Sequence, residues 1–326
     1  MGDGAPGGPV RAVVTGGAGF IGSHLVDRLV GDGHAVVVID SLVRGSTANL
    51  SGALDSGRCE LIEYDITDPR VRELMASSSP DVVYHLAAQI DVRSSVADPV
   101  HDARVNVVGA VAVLDAACRA GVGQFVLASS VAIYGVTPTL PVTESAPTEP
   151  LSPYAASKLA GEIYLNQAAR LHGMPGTVLC FGNVYGPRQD ANGEAGVVAI
   201  FADALLRGRS TRVFGDGGNV RDYVYVTDVV DAFVMAGSRP GDGNRFNIGT
   251  GVGTSDLALH TAVAEAVGAQ QVPEFVPARP GDLRAMTLDA TAAVQRLGWS
   301  PRTGLDDGLA RTVAWARRRV ALEGRV

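Results

Sequence analysis

The chain has 326 residues, 46% of them hydrophobic, and its 27 basic and 34 acidic residues give a formal net charge of −7. That balance excludes a general affinity for nucleic acid or an anionic membrane, and the apolar content suffices for one large or two modest domains. Cys59, Cys118 and Cys180 are too few and too widely spaced for a disulfide framework or a metal knuckle, which points to a reducing cytoplasm.

Residues 1–10, MGDGAPGGPV, carry an acid and no apolar stretch, so they read as a flexible leader and not a signal peptide. No apolar run approaches membrane-spanning length. The run VRAVVTGG precedes a helical pattern with Ile21, Leu25 and Leu29 on one face, and a second run, HAVVVID, ends at Asp40. CELIEYDI, DVVYHLAA and QFVLASS read as strands, PVHDARVNVVGAVAVLDAACRAG as a long helix and residues 153–171 as another. GTVLCFGNVYG reads as a strand running into a loop. Strands that are apolar throughout, separated by helices of a dozen or more residues, imply βαβ units and a parallel sheet buried on both faces. The predicted fold is therefore α/β, with a doubly wound parallel sheet over residues 11–185. From Gly186 onward, clusters such as YGPRQDANGEAG, FGDGGNVRD and ARPGD alternate with short elements. Residues 186–326 read mainly as a smaller C-terminal α/β substrate lobe, with some segments returning to the first domain.

TGGAGFIG places glycines at 16, 17, 19 and 22, between the first strand and the helix that follows. Glycine there permits a tight turn and lets the backbone approach a pyrophosphate, while the helix N-terminus offers free N–H groups. Asp40, 18 residues after Gly22, ends the next strand, where a carboxylate accepts from both ribose hydroxyls and repels a 2′-phosphate. This favours NAD over NADP. Arg44 has two readings, a solvated loop charge or a partner for a 2′-phosphate. Asp65 also has two, a contact to the adenine amino group or the N-cap of the segment TDPRVRELM. Asn106 falls in mid-helix, where an amide is mildly unfavourable, and reads as a prop for the active-site backbone.

The chain holds 26 arginines and a single lysine, Lys158, four residues after Tyr154 in SPYAASKLAGE. Residues i and i+4 share a helix face, so an ammonium is brought near a phenol. Lowering a phenol from pKa ~10 to neutrality takes roughly 4 kcal/mol of differential stabilisation, within reach of one cation in a partly desolvated site. Lysine is a compact point charge with three rotatable donors, able to serve a cofactor ribose and the phenol together. Ser129 and Ser130 close the strand QFVLASS, 25 and 24 residues before Tyr154, at the sheet end where ligands bind.

In order, TGGAGFIG, HLAAQ, ASSVAIYG, SPYAASK, FGNVYGPRQ, FGDGGNVRDYVYVTD, NIGTG and ARPGDLR resemble the motifs of extended short-chain dehydrogenases/reductases, and more narrowly of nucleotide-sugar epimerases. The resemblance spans about residues 11–312 and implies a Rossmann domain, a tightly held NAD, a UDP-sugar substrate and a homodimer through two exposed long helices. It assigns Tyr154 as the base, Lys158 as its electrostatic partner and Ser130 as the catalytic serine, with Ser129 lining the cofactor. Gly16, Gly19, Phe20, Ile21, Gly22, Asp40, Ser41, Arg44, Gly45, Asp65, Ile66, Leu86, Ala87, Ala88, Asn106 and Phe181 complete the expected cofactor surface. Asn183 matches a phosphate contact, Arg221 and Arg279 a pair that grips the pyrophosphate, Asp282 a nucleoside-ribose contact and Val198 a further substrate position. Two fork-shaped permanent cations suit a diphosphate.

Some positions depart from the family pattern. Cys180 and Phe181 stand where relatives often carry arginine and tyrosine. Val131 and Ala132 stand where related 4,6-dehydratases and uronate decarboxylases carry an acid, which disfavours both activities. The expected reaction is NAD-dependent 4-epimerisation of a UDP-hexose through a transient 4-keto sugar, with UDP-glucose and UDP-galactose as the default pair. UDP-glucuronate, for which Arg188 or Ser130 would face the carboxylate, and UDP-N-acetylglucosamine, for which Met286 limits the room, are the alternative substrates. A net dehydrogenase or reductase and a non-catalytic NAD-sensing module are the remaining readings, the latter disfavoured by the intact Tyr154–Lys158 pair.

Overall fold

The structure is a computed structural model that describes residues 8–191, 196–239, 243–279 and 281–323. Most of the leader, together with Pro280 of ARPGD and part of YGPRQDANGEAG, lies outside the described residues. The strands of the first half are β1 (Arg11–Thr15), β2 (Ala35–Asp40), β3 (Cys59–Glu63), β4 (Val82–His85), β5 (Gln124–Ser130) and β6 (Gly176–Phe181). They are followed by β7 (Asn183–Tyr185), β8 (Arg212–Phe214), β9 (Val220–Tyr225), β10 (Arg245–Ile248), β11 (Gly253–Ser255), β12 (Glu274–Val276) and β13 (Ala285–Met286).

The chain divides into two compact units. One comprises the chain to Ser130, Ser152–Cys180 and Val230–Phe246; the other comprises Val131–Leu151, Phe181–Val229 and the chain from Asn247. The first unit is built on a seven-stranded sheet in the order β10-β6-β5-β4-β1-β2-β3, in which β3-β2-β1-β4-β5-β6 is the doubly wound order. The β1–β2, β2–β3, β1–β4 and β4–β5 pairings are all parallel. Val13, Val83, Phe125 and Val178 are buried on this sheet with Val113, Ala117 and Leu165 of the helices packed on it. Burial on both faces is why these strands are apolar throughout.

The second unit carries β11-β9-β13, with β7 paired to β9, and a separate β12-β8 pair. The differences from the sequence expectation are the strand at residues 183–185, the unit boundary with residues 131–151, and a π-turn in the long helix. Residues 183–185, expected as loop, form β7, because Asn183, Val184 and Tyr185 pair in register with Tyr223, Val224 and Tyr225. The boundary expected at 185/186 falls at 180/181, and residues 131–151 join the second unit: Val142 bridges Leu288, and the Tyr134 hydroxyl donates to Asn247 Oδ1 at 2.7 Å. Residues 230–246 return to the first unit, where Gln124 Nε2 donates to the Ala236 carbonyl at 2.9 Å. Finally, the long helix expected from Pro99 is helical to Ala120 but widens into a π-turn over Arg104–Gly109.

Candidate active site

The glycine loop fits a dinucleotide. Gly16 has φ +73°, and a β-carbon there would lie 2.6 Å from the Ala87 nitrogen. A β-carbon on Gly22 would run into the Gly16 carbonyl, so the loop and the helix Phe20–Gly31 close on each other only without side chains. Gly19 caps that helix with no side-chain acceptor, which leaves its first N–H groups to an anion. Asp40 is 8% exposed at the end of β2 and accepts from the Ala18 N–H at 2.9 Å and the Leu42 N–H at 2.8 Å. Its carboxylate is thereby oriented beside the glycine loop, with lone pairs left for further donors.

Other expected cofactor residues lie at or beyond the ends of β2, β3, β4 and β6. Arg44 and Ser41 are exposed, and the charge of Arg44 acts on Asp91, the N-cap of helix Val92–Ala97. Asp65 is exposed and accepts from the Thr67 N–H at 2.8 Å; the helix it was expected to cap begins only at Val71. That reading is corrected: a short turn intervenes, and Asp65 orders the turn. Ile66 is buried against Gly109, and Phe181 is 7% exposed in β6. Leu86, Ala87 and Ala88 follow β4, where the Leu86 N–H donates to the Thr15 carbonyl at 3.0 Å.

Helix Pro153–His172 begins with two local signals. Ser152 is its N-cap, accepting from the Ala155 N–H at 3.2 Å, and Pro153 occupies the first helical position. Tyr154 therefore lies in the first turn, where the helix end contributes positive potential, and Lys158 lies one turn on. The Tyr154 N–H is further tied to Ser95 Oγ at 3.1 Å. Asn106, on the π-turn, accepts from the Gln89 N–H at 2.8 Å and donates to its carbonyl at 2.8 Å; it also donates to Ser157 Oγ at 3.1 Å, whose hydroxyl donates to the Tyr154 carbonyl. One amide thus fastens the loop after β4 to the tyrosine helix. The π-turn fits that task, since such bulges occur mostly at functional sites.

A small cavity is lined by His85, Ala87, Ala88, Asn106, Ala110, Leu127, Ala128, Ser157, Lys158 and Gly161, so three of the expected cofactor residues converge on Lys158. Burial brings the Lys158 amine down to about 8, against the raising effect of Glu162 and Asp102. Burial, with Lys158, also holds His85 neutral, down at about 3, and His85 Nδ1 is 2.8 Å from Thr15 Oγ1. Burial pushes the Tyr154 phenol up to about 12; the hydrogen bond with Ser130 opposes this, while Cys180 and Asp102 add to it. Desolvation of the phenolate is the largest of these effects.

In the second unit, Arg221 on β9 aligns with Thr254 of β11 and with Met286 of β13. The neighbouring Asp222 is 1% exposed and fixes the Thr250–Gly251 turn and Leu288 by accepting from their N–H groups at 2.8, 2.9 and 3.1 Å. The Arg279 guanidinium stacks on the Phe214 ring at 3.5 Å. Arg221, Arg279, Arg284 and Asp282 all act on Asp256, the first residue of helix Asp256–Val267, whose carboxyl is raised by burial. Arg221, Arg279 and Asp282 thus lie within electrostatic reach of one carboxyl, that of Asp256. Arg284 and Asp256 join them, and the sequence reading had singled out neither. Asn183 begins β7, and Val198 is buried in the first turn of helix Val197–Leu206. Among the described residues there is no cluster suited to a metal ion and no helix long and apolar enough to cross a membrane.

Over residues 12–249 the chain matches the NAD dependent epimerase/dehydratase family. It is 53% identical to the UDP-glucose 4-epimerase of Mycolicibacterium smegmatis, over 95% of this chain and 99% of that protein. Among solved structures, the UDP-glucose 4-epimerase of Thermotoga maritima with UDP-glucose is similar at a TM-score of 0.91 and 43% identity, covering 95% of this chain and 99% of that one. The UDP-glucose 4-epimerase of Thermus thermophilus in complex with NAD is similar at 0.87 and 42%, covering 94% and 99%.

Proposed function

We infer the reaction from one premise: the chain belongs to the NAD-dependent epimerase/dehydratase family. It is an isomerase that inverts C4 of a UDP-hexose, with UDP-glucose and UDP-galactose as the pair interconverted. The observation that carries this is the first turn of helix Pro153–His172, where Tyr154 is hydrogen-bonded to Ser130 and Lys158 follows one turn on, in the same unit as the glycine cradle and Asp40. The glycine loop and the N-terminus of helix Phe20–Gly31 would hold the pyrophosphate of NAD, and Asp40 its adenosine ribose; the cofactor would supply a reversible hydride acceptor for C4.

Tyr154 takes the proton of the C4 hydroxyl and gives it back, while Ser130 orients that hydroxyl. Lys158 offsets the phenolate charge and donates to the nicotinamide ribose. Arg221 and Arg279, with Asn183, grip the diphosphate, and Asp282 holds the nucleoside ribose. Because these contacts are to the UDP moiety, the hexose is free to present either face of a 4-keto intermediate. Val131 and Ala132 supply no acid after Ser130, so the keto sugar is returned to the same oxidation level without dehydration.

The test is incubation of purified protein with UDP-glucose, UDP-glucuronate and UDP-N-acetylglucosamine separately, following C4 configuration by NMR. Inversion of UDP-glucose without added NAD is expected. A requirement for stoichiometric free NAD would replace the epimerase by a net dehydrogenase, and inversion of the uronate or the N-acetyl sugar alone would move the substrate.

The cytoplasm remains the proposed setting, supported by three cysteines of which none forms a disulfide. A homodimer is the proposed assembly. Helix Val92–Ala97, the helical run from Pro99 and helix Pro153–His172 pack on one another and expose Val96 (63%), Val100 (77%), Val108 (57%) and Ile163 (53%). Sedimentation should give two copies for the wild type and one for the Val96→Glu/Val100→Glu variant, with NAD retained; a monomeric wild type would remove the proposal.

A further inference from the structure

Two buried carboxylates flank Lys158, and the scheme above uses neither. Glu162, 2% exposed, lies one turn beyond Lys158 on helix Pro153–His172, so it shares a face with Lys158 and Tyr154. Both its oxygens are held: the Ser129 hydroxyl donates to Oε1, and Arg245 Nε donates to Oε2 at 2.7 Å. Since Ser129 belongs to β5 and Arg245 to β10, this carboxylate ties the tyrosine helix to two strands of the sheet. Asp102, 1% exposed, approaches from the turn Pro99–Ala103. Its Oδ1 accepts from Gln89 Nε2 at 3.0 Å and Asn106 Nδ2 at 3.1 Å, while Oδ2 has no hydrogen-bond partner. A buried carboxylate with one oxygen unpaired is costly unless a cation lies near. Lys158 is that cation.

We propose that Glu162 and Asp102 are positioning residues that keep the buried Lys158 amine charged, with Arg245 tempering the contribution of Glu162. Burial alone drives Lys158 toward its neutral form, and these two acids are the groups that act in the other direction. The remaining groups around the amine are His85 from β4, which is neutral, Tyr154 on the same helix, and the uncharged Asn106 and Ser157. A neutral amine could neither offset a phenolate nor donate three hydrogen bonds. Glu162 follows Lys158 at the same i+4 spacing by which Lys158 follows Tyr154; Asp102 comes from another helix and is recognised only once the two pack.

The inference rests on the proposed role of Lys158 as an ammonium, but its test reads charge and not turnover. Because the chain contains a single lysine, incorporation of lysine labelled with carbon-13 at Cε yields one side-chain resonance. This resonance is titrated in the holoenzyme as purified. The midpoint of Glu162→Gln is expected about one pH unit or more below wild type, and that of Asp102→Asn lower by about half a unit. Arg245→Met should shift it upward. Where Glu162→Gln does not fold, Glu162→Gln/Arg245→Met removes both charges of the buried pair and should still titrate below wild type. A midpoint within about 0.2 units of wild type in the Glu162 variant, or a downward shift in Arg245→Met, overturns the proposal. Normal titration shifts with no epimerase activity in the wild type would instead defeat the functional reading and leave this one standing.

Discussion

Tyr154→Phe is expected to lower turnover about a thousandfold or more while UDP-sugar affinity stays within about threefold of wild type. The substitution removes one oxygen and keeps the ring, so the first turn of its helix, fixed by Ser152, Pro153 and Ser95, is undisturbed. What is lost is the phenol hydrogen-bonded to Ser130. No neighbour can replace it as a base: Ser130 titrates far too high, His85 is neutral and engaged with Thr15, and Lys158 acts as a cation. Binding survives because the residues proposed to grip UDP, Arg221, Arg279, Asn183 and Asp282, belong to the other unit. Turnover and affinity measured side by side decide the point, and wild-type turnover would remove Tyr154 as the base.

Lys158→Arg, which keeps the charge, is expected to cost about a hundredfold in turnover. The cavity at Lys158 is bordered by Ala87, Ala88, Ala110, Ala128 and Gly161, whose small side chains leave no room for a planar guanidinium. Forcing one in costs about 1–3 kcal/mol and displaces the charge from the phenol. The pH profile separates charge from shape. Burial places the folded-state Lys158 at about 8, so the wild type should lose activity as pH rises through that value and the ammonium is discharged. Arginine does not deprotonate in this range, so the residual activity of Lys158→Arg should no longer fall there. An unimpaired variant would mean that any cation suffices. An impaired variant with the wild-type alkaline limb would assign that limb to another group.

The elements that were legible in the sequence are those governed by local rules. Apolar runs broken by glycines and helix signals identified β1 to β6, and Ser152-Pro153 marked the start of the tyrosine helix within a residue of its observed limits. The glycine loop, Asp40 and the Tyr154–Lys158 spacing were readable for the same reason: each function depends on backbone geometry within one turn. Of the two readings of Asp65, the N-cap one fails because an Asx turn and a helix N-cap draw on the same residue types, and only the observed start at Val71 separates them. The strand β7 was missed because three residues carry no periodicity of their own; pairing with β9 creates the strand. The π-turn at Asn106 has no sequence signal, since it reflects contacts to Gln89 and Ser157 from distant parts of the chain.

By itself the sequence determined the class of fold, the glycine loop at the first strand's end and the Tyr154–Lys158 pair proposed to handle the proton, because period, glycine placement and i,i+4 spacing are properties of a short stretch of chain. Tertiary structure alone decided the electrostatics of that pair. How far Tyr154 is raised, how far Lys158 is lowered, and whether Asp102 and Arg245 join Glu162 near them depend on desolvation and on charges drawn from segments far apart in the chain. Long-range assembly also gathered Arg221, Arg279 and Arg284 around Asp256, since register across β11, β9 and β13 sets which side chains become neighbours.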